Sequence, residues 1–174
     1  MLRKLGIIAV LSLIVTAIAV VPALAVSPTT VTSTGGLHVC QGSTLDVSPG
    51  TTSTGGKILT ASGEVCGAGT TATATVSADA TATVGCVTRG GGTPTGLEEQ
   101  STAATGTTTF RTRSGRGMFT VSTQPVTIES FDFQCPSRQQ TEVLVGPVTF
   151  TNIVLTITSQ TGTITATGFG DIDP

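Results

Sequence analysis

The sequence predicts an all-β protein: an antiparallel β-sandwich, Ig-like or related, of about seven to nine strands behind an N-terminal signal peptide. Three observations carry this reading. Threonine makes up roughly a fifth of the chain while helix formers are scarce, a balance that favours strands. Residues 71–84 keep a strict two-residue period, small apolar side chains at even positions and polar ones at odd positions. Short alternating segments then recur between glycine and proline punctuation as far as residue 167.

Taken in chain order, Arg3 and Lys4 precede an uncharged apolar run over residues 5–21, closed by Pro22 and the triplet Ala23-Leu24-Ala25. That is the pattern of an export signal cut after Ala25, leaving a secreted chain that begins at Val26. A retained membrane anchor is the rival reading, because the run approaches the roughly 18 apolar residues of a spanning helix. Residues 26–56 read as a leader rich in Ser, Thr and Gly, flexible over 26–34 and again a loop over 48–56, with room for a short strand near Cys40. Residues 57–174 form the sandwich domain.

Within that domain, strands are expected over residues 57–65 and 71–87. The second is long enough, at about 3.3 Å per residue, to need a bend or break near residues 77–80. A polar loop runs to about residue 105, and a strand follows over 107–113. The turn Ser114-Gly115-Arg116-Gly117 leads into 118–123. Further strands are expected over 126–133, 141–145, 148–158 and 163–167, the third of these separated from the second by Gly146-Pro147. Alanines at 72, 74, 78, 80 and 82, with Val76 and Val84, make one face of the long strand. Phe110, Phe119, Phe131, Phe133 and Phe150 are the large side chains expected to interdigitate with it.

Charge and residue types narrow the functions. Without Arg3 and Lys4 the eight basic residues fall to six, against ten acidic ones, so nothing draws the chain to nucleic acid. The only histidine, His38, lies beside the leader, and no G-x-S-x-G elbow is present. Glu64, Glu98, Glu99, Glu129, Asp132 and Glu142 are the carboxylates available for hydrolytic chemistry. With no Tyr or Trp to stack on sugars, glycoside hydrolysis is disfavoured. Neither Glu98-Glu99 nor Asp171-x-Asp173 has the form of a calcium loop. Gly90-Gly91-Gly92 opens no helix, which removes the phosphate cradle. Arg111, Arg113 and Arg116 gather at one hairpin and offer a candidate anion-binding site. Threonine rows at 71–83 and 161–167 would suit an ordered-water surface such as ice, against which stand Asp79 and the twist of sandwich sheets.

Four cysteines, Cys40, Cys66, Cys86 and Cys135, suit an oxidising compartment and two disulfides, with three pairings open. The segments TATVGCVTRGGG (residues 81–92), QCPSRQQ (134–140) and VTFTNIVLTITSQTGT (148–163) resemble a group of uncharacterised secreted, threonine-rich proteins of actinobacteria and related bacteria. The resemblance spans about residues 59–163 and brings no activity or ligand with it. It implies a secreted β-sandwich in which Cys86 pairs with Cys135, leaving Cys40 with Cys66.

The expectation is therefore a secreted or cell-envelope protein, not an enzyme, that binds or builds. Its partner would be an unknown protein or cell-surface component, and it would carry no cofactor. It would meet a membrane only if the N-terminal segment is retained. One alternative is a surface-assembly or filament subunit whose leader adds as a strand to a neighbour. Another is an enzyme with an unrecognised carboxylate site.

Overall fold

The computed structural model describes residues 24–173, so the export-signal reading falls almost wholly outside the described residues. Nine strands form two antiparallel sheets: β1 (Thr30–Gly35), β2 (His38–Val39), β3 (Leu45–Thr51), β4 (Lys57–Cys66), β5 (Thr71–Thr88), β6 (Thr95–Arg111), β7 (Arg116–Ser122), β8 (Gln140–Ser159) and β9 (Gly162–Thr167). The larger sheet has the order β1-β9-β8-β5-β6. In the smaller one β4 pairs with β2, β3 and β7. Because β7 overlaps both β2 and β3 in its register on β4, those two must follow one another along the opposite edge. Among the described residues no helix is long and apolar enough to cross a membrane.

The chain crosses between the sheets on both flanks. Val26 exchanges backbone hydrogen bonds with Val47 of β3 at 2.8 and 2.9 Å, and a few residues later β1 lies along β9 in the other sheet. The segment expected to be a flexible leader is thus a paired strand, and the first part of the loop expected over residues 48–56 is likewise strand, the end of β3 paired with β4. Serine, threonine and proline are common in disorder, but TVTST also carries the alternation of a strand, and β9 gives it an edge to complete. On the other flank β6 turns into β7, and Gln124 N–H donates to Thr105 C=O at 2.9 Å. The backbones come so close that a Cβ at Gly106 would lie 1.8 Å from the Ser122 carbonyl oxygen, so only glycine fits there.

The period-two reading of β5 holds: Ala72, Ala74, Val76, Ala78, Ala80, Ala82 and Val84 are all buried. Small residues there accommodate large ones on the adjacent strand, Ile157 beside Ala74, Leu155 beside Val76 and Phe150 beside Ala80. The phenylalanines differ from expectation in origin. Phe119 comes from the opposing sheet, its ring centroid 5.4 Å from that of Phe110. Phe110 and Phe150 belong to β6 and β8, the neighbours of β5 in its own sheet. Phe131 and Phe133 come from a connecting segment.

That segment is a second correction, because residues 126–133 are not a strand. Val126 makes a single bridge to Lys57, and Ile128–Ser130 is a 3₁₀ turn whose Ser130 hydroxyl accepts from Thr127 N–H at 3.0 Å. The turn packs against β8, Val126 and Phe131 join the buried core, and the Cys86–Cys135 disulfide ties the end of the segment to β5. The second disulfide, Cys40–Cys66, joins the end of β2 to the end of β4. Sequence separations of 49 and 26 residues correspond in the chain-entropy model to about 4 and about 3.5 kcal/mol.

Two further expectations change. The polar stretch before residue 105 is the first half of β6, an edge strand whose exposed Glu98 and Glu99 read like a loop because little of it is buried. The long strand β5 runs through without a break, and its partners absorb the irregularity. Two residues oppose fewer on β5 at Asn152-Ile153 and Gly146-Pro147 of β8, and at Gly96-Leu97 of β6. Each of these bulges contains a residue at positive φ: Asn152 at 51°, Gly146 at 93° and Gly96 at 63°.

Candidate functional site

The outer face of the larger sheet follows from the registers of its strands. In antiparallel pairs directly opposed residues share a face, so the odd positions of β5 extend across the whole sheet. Thr73 lies opposite Thr109 of β6 and Thr158 of β8; Thr158 opposes Thr163 of β9, and Thr163 opposes Thr34 of β1. The next row is built the same way from Thr107, Thr75, Thr156, Thr165 and Thr32. Two adjacent rows of five threonines therefore cross all five strands. A partial third row has Thr105, Ser77 and Val154 on one side and the pair Thr167 and Thr30 on the other.

On β5 and β9 these side chains are half-buried, as is Thr156 of β8, whereas Thr158 and the threonines of the outer strands β1 and β6 are exposed. The Thr73 and Thr109 hydroxyls are 3.2 Å apart, as are those of Thr75 and Thr107. At the margin the Thr34 hydroxyl accepts from Thr163 N–H at 3.2 Å. Neither row contains a charged residue. Asp79, which interrupts the threonines of β5, lies beyond the third row, and Asn152 Nδ2 donates to its carboxylate at 2.8 Å. The sequence displays the β5 and β9 portions of this surface. It hides the join, because the rows from β1, β6 and β8 become neighbours only through pairings as distant in the chain as Thr32 with Thr165.

The arginine hairpin comes together differently from the expected anion site. Ser114 and Gly115 take φ values of 52° and 75°, and Arg113 and Arg116 exchange backbone bonds of 2.8 and 3.0 Å, a two-residue turn of type I′ character. Arg116 then reaches Glu64 on β4: its Nε meets Oε1, and its Nη2 lies 3.0 Å from Oε2. The Arg116 hydrogen bonds, with a further one from the Ser43 hydroxyl at 2.8 Å, hold the Glu64 carboxyl below its ordinary range and raise the Arg116 guanidinium. Arg116 is thus engaged, while Arg111 and Arg113 stand exposed. The depression of about 480 Å³ beside Glu64 also contains Asp46, whose carboxylate accepts from the Ser27 and Thr44 hydroxyls at 2.5 and 2.6 Å.

The other carboxylates are dispersed. Glu98 and Glu99 lie opposite Val84 and Thr83 near the start of β6. Glu129 and Glu142 line an open cleft of about 430 Å³ beside Cys135, with Arg138 and Gln140. There Glu142 Oε1 accepts from Cys135 N–H at 3.3 Å, and the buried Gln140 Oε1 has no partner among the described residues. Asp132 is exposed after the 3₁₀ turn, and Asp171 and Asp173 flank Ile172, which bridges to Phe150. His38 pairs with Cys66 and its Nδ1 lies 2.9 Å from Gly36 C=O. Gly90-Gly91-Gly92 sits in the β5–β6 connection, where Gly91 N–H donates to Thr88 C=O at 2.9 Å. Among the described residues, no group of three His, Cys, Asp or Glu is placed to hold a metal ion.

The chain matches no protein-family model, no curated protein and no solved structure.

Proposed function

We propose that this protein is a secreted or cell-envelope, non-catalytic module that binds through the outer face of its five-stranded sheet. The observation that carries this is the pair of adjacent threonine rows, ten hydroxyl and methyl groups on a surface without charge inside the rows. Two disulfides support an oxidising destination. The test is to purify the exported protein and assay it against ester, peptide, glycoside and phosphoester substrates, beside the variants Glu129→Gln and Asp132→Asn. No turnover that these substitutions remove is the expected result. Hydrolysis lost with Glu129→Gln would overturn the reading in favour of an enzyme at the carboxylate cleft.

A second reading, assembly by strand addition, draws on the outermost position of β1, an exposed strand with no charge and no proline. Its pairing with β9 over six residues speaks for that strand staying in its own chain. Assembly would therefore use the outer edge of β1 rather than release it. Filaments in electron micrographs of the mature protein would favour this reading, and a monomer at high concentration would remove it.

A further inference from the structure

We propose that the threonine face binds ice, so that the ligand of this module is the surface of a water lattice. This rests on the reading above that the outer face is the binding surface. The Thr73–Thr109 and Thr75–Thr107 hydroxyls turn toward one another to 3.2 Å, but strand geometry sets the spacing of the side-chain stems: about 4.8 Å from strand to strand and about 6.7 Å between alternate residues along each strand. Both distances lie near repeats of water oxygens in hexagonal ice. Each threonine offers that lattice a hydroxyl with acceptor capacity and a methyl that holds no water of its own; in the Thr73–Thr109 and Thr75–Thr107 pairs one hydroxyl donates to the other, which leaves one proton per pair for the lattice.

Three further features favour water over other occupants. Threonine is stiff at χ1, and here each one has strand neighbours carrying the same side chain, so the hydroxyls are nearly fixed before contact and little entropy is lost on binding. Charged groups, whose tightly held hydration shells would compete with a lattice, are missing from both rows and meet the face outside them, as Arg111 opposite Thr71, as Asp79 and as Glu99 opposite Thr83. Sugar polymers are poor alternatives, since the chain has neither Trp nor Tyr to stack on a pyranose ring.

Twist limits the fit. Neighbouring strands rotate by about 20–25°, so five strands cannot lie flat on one crystal plane, whereas three stay within about 45°. The contact then centres on β8, β5 and β6, through Thr156, Thr158, Thr73, Thr75, Thr107 and Thr109. A patch of six groups predicts slowed recrystallisation and adsorption to ice rather than a large depression of the freezing point.

The experiment freezes a dilute solution of the mature, disulfide-bonded protein slowly onto a cold finger and measures the share taken into the ice, with recrystallisation in sucrose followed in parallel. Three variants accompany it: Thr75→Lys at the centre, Thr107→Lys at an exposed position in the same row, and Ser62→Lys on the outer face of the smaller sheet. Thermal melts confirm that each remains folded, and Thr107→Lys keeps the test open if the central variant does not. The expected result is several-fold enrichment of the parent and of Ser62→Lys in ice, and exclusion of the two threonine variants. Exclusion of the parent, or equal enrichment of all four, overturns the proposal. Light scattering on the same samples separates the two claims. A concentration-dependent dimer of the parent, lost in Thr75→Lys, would keep the face as a binding surface while removing ice as its ligand.

Discussion

The two faces of β5 come from one strand and from side chains of similar size, alanine and valine inward, threonine outward, yet one belongs to a core and the other to a solvated surface. Valine and threonine have nearly the same shape, so shape does not decide which face turns inward. The hydroxyl does, because burying it without a partner costs about 1–3 kcal/mol on protein mutational scales. A slip of one residue in the register of β5 would bury five threonines, Ser77 and Asp79 together, and that penalty fixes the pairing along its whole length. The contrast predicts unequal responses to truncation. Phe150, fully buried beside Ala80, should cost about 3–5 kcal/mol as Phe150→Ala in urea denaturation. Its outward neighbour should stay within about 0.5 kcal/mol as Thr149→Ala. Equal costs would break the distinction between the faces.

An isosteric exchange isolates the hydroxyl itself. Val76 is fully buried between Gly106 on β6 and Leu155 on β8. Val76→Thr keeps the volume and places one hydroxyl where those neighbours offer no polar side chain, so a loss of about 1–3 kcal/mol is expected from the same denaturation curves. A loss near zero would mean that water reaches the inner face.

The outer face of the smaller sheet supplies a third term, because it is charged where the threonine face is neutral. Glu64 has a folded-state pKa held below its unfolded value by Arg116 and then Ser43. Its contribution is therefore present above the ordinary glutamate range and is lost as the pH falls through the depressed value. The difference in melting temperature between the parent and Glu64→Gln should be small at neutral pH, because the pair is exposed, and should vanish in acid. A difference that grows toward acid would reverse the assigned direction.

The ease of reading each region in the sequence follows from where its partners lie. The burial pattern of β5 was legible because period two is a local property, and the alanines at 72, 74, 78, 80 and 82 needed no knowledge of their neighbours. The 3₁₀ turn at Ile128–Ser130 was not legible, since Val126, Ile128 and Phe131 are as apolar as a strand and only the absence of a ladder partner beyond the single Val126–Lys57 bridge distinguishes them. The first half of β6 was missed for the opposite reason: an edge strand buries so little that its sequence is nearly free to be polar. The threonine rows were half visible, on β5 and β9, because what joins them is register. The arginine cluster was visible, but the partner of Arg116, Glu64, lies 52 residues earlier, and sequence proximity gave no sign of it.

The smallest effect is the one that sharpens the comparison most. Thr75→Val removes one hydroxyl from the middle of the second row and changes almost nothing else, because valine has the same shape and an equal liking for strands. The lost contact with Thr107, 3.2 Å between hydroxyls, is open to water, which replaces it. Stability should therefore move by less than about 0.5 kcal/mol in either direction. Set beside Val76→Thr, it makes a pair of opposite exchanges at adjacent positions, one nearly silent and one costly. If the threonine face only keeps the sheet soluble, Thr75→Val should be silent in every assay. If the hydroxyls act as a lattice, adsorption to ice should fall measurably in a protein whose melting curve has not moved, and that separation ties the array to function rather than to folding.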